Sequence, residues 1–187
     1  MRISILKHSL LFTFLFLLSL ENQAQQNYSA DVNNSKVLIK GTSNIHDWEM
    51  EVKSLKSEMK VSEDSIMKVH SITFNVPVKS MKSGKSSMDK NSYEALKAEE
   101  HEFIKFSSNA IKYLSGKYLA TGDLIISGHK RQIEIPLQLS KQGDELSLST
   151  SHKINMLDYE IEPPKALFGT VRTGKTVDVI INLTFNN

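Results

Sequence analysis

An all-β chain carrying one short helix is what the sequence predicts. Three observations predict it: five stretches that alternate apolar and polar residues, turn residues between them, and a single ten-residue window of helical character. Alternation with period two leaves each strand one apolar and one polar face, so one side meets a core and the other meets water. Short strands separated by turn signals, with no helices alternating between them, indicate an antiparallel sandwich or barrel.

The elements follow in order. Arg2 and Lys7 precede an apolar run from Leu10 to Leu20, and Asn22-Gln23-Ala24 ends in a small residue, which is the pattern of a cleaved secretory signal peptide over residues 1–24. That run falls short of the about 20 apolar residues of a spanning helix, so no integral membrane span is expected after processing. Cleavage after Ala24 leaves 163 of 187 residues, enough for one domain. Residues 25–35 are polar and are expected to be disordered, with the folded domain spanning 36–187 from a first strand at Lys36 to Lys40.

Gly41-Thr42-Ser43-Asn44 reads as a turn, after which His46, Trp48, Met50 and Val52 face one side and Asp47, Glu49, Glu51 and Lys53 the other. Ile72, Phe74, Val76 and Val78 repeat the pattern, as do Ile133, Ile135, Leu137 and Leu139, then Leu146 to Ile154, then Val177 to Phe185. Pro77 and Pro136 point to strand edges or bulges. Gly116, Gly122, Ser127-Gly128, Gln142-Gly143-Asp144 and Thr173-Gly174 supply turns and a bulge. Including 55–62, 104–111 and 118–126 gives about eight strands, the number at which a closed barrel has room for one small ligand. A sandwich would bury the same faces and leave no pocket.

The helix is expected over about 89–98. Asp89 serves as N-cap in this reading, with Met88 and Tyr93 at the two positions of a hydrophobic staple. Glu99, Glu100 and Glu102 oppose the dipole of a helix end and place its stop near Lys97 or Ala98.

Composition excludes several functions. Without cysteine the chain forms no disulfide, carries no lipid-attachment thiol, and has no thiolate for a structural zinc. Removing Arg2, Lys7 and Glu21 from 23 basic and 21 acidic residues leaves a balance of +1, which gives no basic excess for nucleic acid. No histidine pair has the i, i+4 spacing of a helical metal site, so no metal and no cofactor are expected. His46 and His152 fall on apolar faces, where a histidine satisfied in the core or at a pocket mouth is the simpler account than a ligand or base. The Asp47, Glu49 and Glu51 row lies on a solvent face, and Ser127 sits in a hairpin connection with no nucleophile elbow. No catalytic residue is therefore assigned.

Residues 79–87 read as a mobile polar loop with three lysines. Glu162-Pro163-Pro164-Lys165-Ala166-Leu167-Phe168-Gly169 pairs a rigid proline step with apolar side chains that would bury at a barrel mouth or cap the core. Three short glycosylation-acceptor patterns beginning at Asn27, Asn33 and Asn182 are of a kind common by chance and carry no weight.

Five segments in register resemble the YceI-like family of secreted lipid- or polyisoprenoid-binding proteins. They are Gly41 to Trp48, the helix with Met88-Asp89-Lys90 and Tyr93 to Lys97, Ile104-Lys105-Phe106, Thr121 to Gly128, and Glu162-Pro163-Pro164 on to Gly174. The likeness covers nearly the whole processed chain. It departs where the family carries a proline before the strand after the helix and this chain has Glu102, and at the more basic His129-Lys130-Arg131.

What the resemblance implies is an extended eight-stranded antiparallel lipocalin-like barrel, exported to the periplasm or secreted, with an apolar cavity for an isoprenoid or other fatty amphiphile. It implies no shared enzymatic activity. The expected ligand-binding residues are Trp48, Met50, Phe74, Val76, Phe106, Ile133, Ile135 and Leu137, part of which would serve as ordinary wall packing. The leading expectation is thus a non-catalytic carrier. The alternatives are a hydrolase or isomerase using His46, His152 or Asp47, and a structural or stress-related protein whose barrel is filled by its own side chains. A homodimer stays open as an assembly.

Overall fold

The computed structural model describes residues 25–63 and 67–187, so the expected signal peptide lies outside the described residues. In chain order the elements are β1 (Gln26–Ser43), β2 (Trp48–Val52), β3 (Lys56–Glu63), β4 (Met67–Pro77), β5 (Met81–Lys82) and helix α1 (Ser86–Ala95). They continue as β6 (Phe103–Leu114), β7 (Lys117–Ile126), β8 (His129–Gln142), β9 (Glu145–Asn155), β10 (Lys165–Ala166) and β11 (Val171–Asn186). Antiparallel ladders run β11-β9-β8-β7-β6-β4-β3-β1, and β1 pairs back onto β11. The sheet is therefore a closed eight-stranded barrel, not a sandwich. β2 extends the ring beside the second half of β1, β5 adds to β2, and β10 adds to β11.

Closure explains the first correction. Residues 26–35, expected to be disordered, belong to β1, because Gln26 to Ser29 pair with Glu58 to Val61 on one side and Ser29 to Asp31 pair with Thr184 to Asn186 on the other. Tyr28 is fully buried there and its ring plugs one end of the barrel. Backbone pairing on two edges orders a stretch whose composition alone reads as coil.

The β6–β7 and β7–β8 hairpins turn through two residues each, Ser115-Gly116 and Ser127-Gly128, with positive φ at all four. Gly122 makes no turn: it sits inside β7, where a Cβ would lie 2.4 Å from the Ser107 carbonyl oxygen, opposite a bulge between Ser107 and Ala110. Thr173-Gly174 is likewise part of β11 and faces the register shift between Gly41 and Ser43 of β1. Pro77 ends β4, and Pro136 lies inside β8 two residues beyond the last β8–β9 pair, where Thr150 Oγ1 donates to its carbonyl at 2.6 Å.

Helix α1 begins one turn earlier than its sequence suggests, at Ser86 with Lys85 as an N-cap that makes no side-chain bond. Asp89 is not the cap, because its Oδ1 accepts from the Ser83 amide at 2.8 Å and the Ser83 hydroxyl at 2.6 Å. Burial would raise this carboxyl, but the Ser83 bonds and the Lys82 charge hold it below its ordinary value. Met88 consequently lies inside the helix and forms no staple with Tyr93. The Tyr93 hydroxyl instead meets the Met81 and Lys79 carbonyls at 2.7 and 3.0 Å and the Lys82 ammonium at 2.8 Å. At the far end Lys97 takes positive φ, while the Ala98 amide bonds the Tyr93 carbonyl and the Lys97 amide that of Glu94. These are the two bonds of a Schellman stop, made here without glycine.

The expected mobile loop at 79–87 is also tied down, through β5, a 3-10 turn at Val78–Ser80 and a Lys79–Glu99 ion pair. Among the described residues no helix is long and apolar enough to cross a membrane.

Candidate functional site

Inward-facing side chains fill the two ends of the barrel differently. At one end Tyr28, Met59, Val61, Val69, Ala120, Leu146 and Phe185 are almost completely buried, and the Tyr118 hydroxyl donates to the Met67 carbonyl at 2.7 Å across the floor. Burial, with the neighbouring Tyr113, raises the Tyr118 phenol above its ordinary value. This end is solid.

The other end is hollow. A chamber of about 690 Å³ lies beneath α1 and the 3-10 and β10 segment between β9 and β11. Its walls include Ile39 of β1, Trp48 and Met50 of β2, Ile104 of β6 and Ile126 of β7. Ile154 of β9 and Val177 and Val179 of β11 complete them, and Met88, Asn91, Ser92 and Ala95 form the α1 ceiling. The chamber continues into a narrower slot of about 110 Å³ toward the barrel centre, sharing Ile39, Met81, Ile104, Ile126, Ile154 and Val179 with it.

Alternation along each strand produces this lining. Every second residue of β4, β6, β8, β9 and β11 points inward, so Phe74, Val76, Phe106, Ile135, Leu137, Leu148 and Ile181 wall the slot. Phe74 and Phe106 are direct cross-strand partners. Seven of the eight sequence-assigned residues are thereby distributed between two connected spaces: Trp48 and Met50 in the chamber, and Phe74, Val76, Phe106, Ile135 and Leu137 in the slot. Ile133 lines neither space and packs against the core as a partly buried side chain.

Trp48 is fixed more firmly than its place at the mouth would require. It pairs across the sheet with Gly41, its ring lies where a Gly41 side chain would be, and its Nε1 donates to the Thr42 carbonyl at 3.0 Å. The same residue also borders a second, outward groove of about 490 Å³ that carries Glu49, Glu51, Lys53 and Lys82 on the far side of β2. Glu51 is held below its ordinary value by the hydrogen bond and charge of Lys53, 2.6 Å away.

Polar groups are few and scattered. His46 is exposed at the rim, with Nδ1 2.7 Å from the Asp47 carbonyl, whereas His152 lines the slot, where burial lowers its imidazole below the ordinary value. Asp47 borders only the outward groove. His152 thus lies apart in the slot, while His46 and Asp47 share the outward groove but meet only through the Asp47 backbone carbonyl, so no histidine–carboxylate hydrogen bond joins the three. Among the described residues no group of three or more histidine or carboxylate side chains is placed to hold a metal ion.

Lining residues absent from the sequence assignment are Met88, Asn91, Ser92 and Ala95 of α1, the isoleucines at 39, 104, 126 and 154, and His152, whose apolar face the sequence did show. The isoleucines were legible as apolar positions, but nothing local says which apolar side chain meets a neighbour and which meets a void. The Pro163-Pro164 segment does reach the mouth, where Pro164, Lys165, Ala166 and Phe168 border the chamber, but Phe168 does not bury there as expected and stands fully open to solvent. Asn44 pins the segment: its side chain donates to the Thr170 carbonyl at 2.9 Å and accepts from the Arg172 amide at 2.8 Å.

A closed antiparallel barrel, solid at one end and hollow and apolar at the other, defines the class as a hollow β-barrel with an internal ligand-sized cavity. Residues 28–185 match the YceI-like domain family, and the chain belongs to it. Similar solved structures include Burkholderia cenocepacia BcnA, at 19% identity and a TM-score of 0.71, over 83% of this chain and 98% of that one. A polyisoprenoid binding domain from Saccharophagus degradans, implicated in plant cell wall breakdown, aligns at 13% identity and a TM-score of 0.66 over 85% and 97% of the two chains. The Campylobacter jejuni YceI protein aligns at 15% identity and a TM-score of 0.58 over 74% and 84%. No curated protein matches the chain by sequence.

Proposed function

We propose that the protein is a non-catalytic periplasmic or secreted binding protein for an isoprenoid or other lipid-like amphiphile. The observation that carries this reading is the apolar chamber of about 690 Å³ continued by its slot, a volume within the roughly 300–1,000 Å³ of small-molecule sites. A branched hydrocarbon tail gains about 25 cal/mol per Å² on leaving water, so a dry tube of fitting width suffices without reactive groups. The slot takes the tail's end, and the polar end sits near Asn91 and Thr173 at the mouth. Family membership and the polyisoprenoid binding domain among the similar structures support the ligand class. The apolar run from Leu10 to Leu20 supports export.

The test uses the protein purified from its own host, extracted with organic solvent and examined by mass spectrometry, together with titration of the ligand-free protein with prenyl alcohols of increasing length. Trp48 is the single tryptophan and borders the chamber, so its emission reports occupancy directly. A co-purifying prenyl or acyl lipid and a saturable emission change are expected. An empty extract together with no response to any prenyl or fatty amphiphile would remove the proposal.

A further inference from the structure

A carrier for insoluble lipid must meet the surface that supplies it, and the chamber mouth has the composition of such a meeting place. The two most exposed large apolar side chains among the described residues are Phe168, fully open to solvent, and Ile45, at 59% exposure, and both border the chamber. Phe168 has φ 55° and ψ 33°, a left-handed conformation that costs a non-glycine residue about 1 kcal/mol or more, and it turns the ring outward. The Asn44 bonds to Thr170 and Arg172 hold the Ile45 turn against the Phe168 segment, so both side chains crown one rim. Tyr113 and Leu114, the other conspicuous exposed pair, sit at the β6–β7 hairpin and border none of these spaces.

Among the side chains that line the chamber itself the charge has one sign. The ionisable residues lining the chamber are Lys85, Lys165 and His46, with no carboxylate among the lining side chains. Neither lysine is in an ion pair among the described residues, while Lys40, Lys53, Lys56, Lys79 and Lys153 all are. Carboxylates stand outside the chamber: Lys85 and His46 also border the outward groove with Asp47, Glu49 and Glu51, Asp89 is bonded to Ser83, and Glu162 precedes the proline pair. We propose that the mouth docks on an anionic phospholipid leaflet, with Phe168 and Ile45 entering the headgroup boundary and Lys85 and Lys165 meeting its charge. An apolar tip flanked by unpaired cations is the chemistry that an anionic bilayer surface recognises. The proposal rests on the lipid-carrier reading, since docking places the chamber opening against the pool of ligand.

Flotation with vesicles of phosphatidylcholine, with and without one third phosphatidylglycerol, tests it on the processed protein at low and high salt. Binding to the anionic vesicles that weakens with salt is expected. The paired change Phe168→Ser and Ile45→Ser should lower partitioning at least about tenfold, and Lys85→Ala with Lys165→Ala should remove the anionic preference, about fivefold per lysine. Circular dichroism of each variant checks that these exposed substitutions leave the barrel folded. Absence of vesicle binding by a wild-type protein that still takes up a prenyl alcohol overturns docking and leaves the carrier reading standing. Equal partitioning of wild type and the Ser pair overturns it too, as does a concentration-dependent dimer that the Ser pair abolishes without any vesicle binding. Vesicle binding that is lost in the variants, from a protein that yields an empty extract and takes up no prenyl or fatty amphiphile, supports the docking surface and removes the carrier reading alone.

Discussion

Replacing Gly41 by alanine puts the Trp48 mooring to a quantitative test. Its Cβ would stand 2.2 Å from Trp48 Cζ2 and 2.5 Å from Cε2, so the ring must retreat by about 1.2 Å to reach ordinary contact. The retreat breaks the 3.0 Å bond from Nε1 to the Thr42 carbonyl, a loss of about 1 kcal/mol. Overpacking adds about 1–3 kcal/mol. Gly41 does not have positive φ, so alanine also restricts the unfolded chain and returns about 0.4–1 kcal/mol. The net expectation is a destabilisation of about 2 kcal/mol, read as a lower urea midpoint, with a shift in Trp48 emission and weaker prenyl uptake because the ring is part of the chamber wall. In a Trp48→Ala background the clash is gone, and Gly41→Ala should be neutral or stabilising. A single substitution that leaves midpoint and emission unchanged, or an equal cost in both backgrounds, would refute the reasoning.

Tyr93→Phe removes the hydroxyl that joins α1 to the Met81 and Lys79 carbonyls and to Lys82, and should cost about 1–2 kcal/mol, seen as faster amide exchange confined to α1 and β5. Tyr118→Phe breaks the bond to the Met67 carbonyl at the solid end; it should cost about 1 kcal/mol and leave prenyl uptake unchanged in a fluorescence titration. His152 has a lowered folded pKa, so the stability tied to its neutral form is complete above the ordinary value near 6.5 and is lost as pH falls through the folded value below it. Urea midpoints at pH 8 and pH 5 should therefore differ less in His152→Leu than in wild type.

Strand faces were readable because period two is a local property: Ile133 to Leu139 or Val177 to Phe185 declare their inward side without reference to any other element. The features that went astray are those settled by competition or by partners far along the chain. Asp89 has the chemistry of an N-cap, but Ser83 offers its carboxylate two donors six residues away, and the helix starts at Ser86 without a side-chain cap. Residues 26–35 are polar, yet two ladders from opposite ends of the sequence make them strand. The lining suffers the same limit. Leu148 and Leu146 are adjacent inward positions on β9, one bordering the slot and the other locked in the solid floor, and only the distance to the opposite wall separates their roles.

The uneven filling of the barrel separates the work of folding from the work of binding. The floor is built from aromatic, methionine and aliphatic side chains that are almost completely buried, so it supplies packing and burial whether or not anything is bound. Around the chamber the same kinds of side chain face empty volume and forgo the contacts that close packing would give them. The ceiling shows the consequence: α1 contains no fully buried residue, and beside the partly buried Met88, Tyr93 and Ala95 it is held by polar bonds, through Asp89 to Ser83, Tyr93 to the β5 backbone and Ser92 to Met50 Sδ at 3.4 Å. A segment with little buried apolar contact opens at low cost, and in this barrel that segment covers the hollow end. A tail entering the chamber would add to the partial apolar contacts of Met88, Ala95 and Leu96, so binding would stabilise the cover more than the floor. The short helix that interrupts an otherwise β sequence is thus placed to respond to any ligand that fills the chamber, while the solid end supplies a frame independent of it.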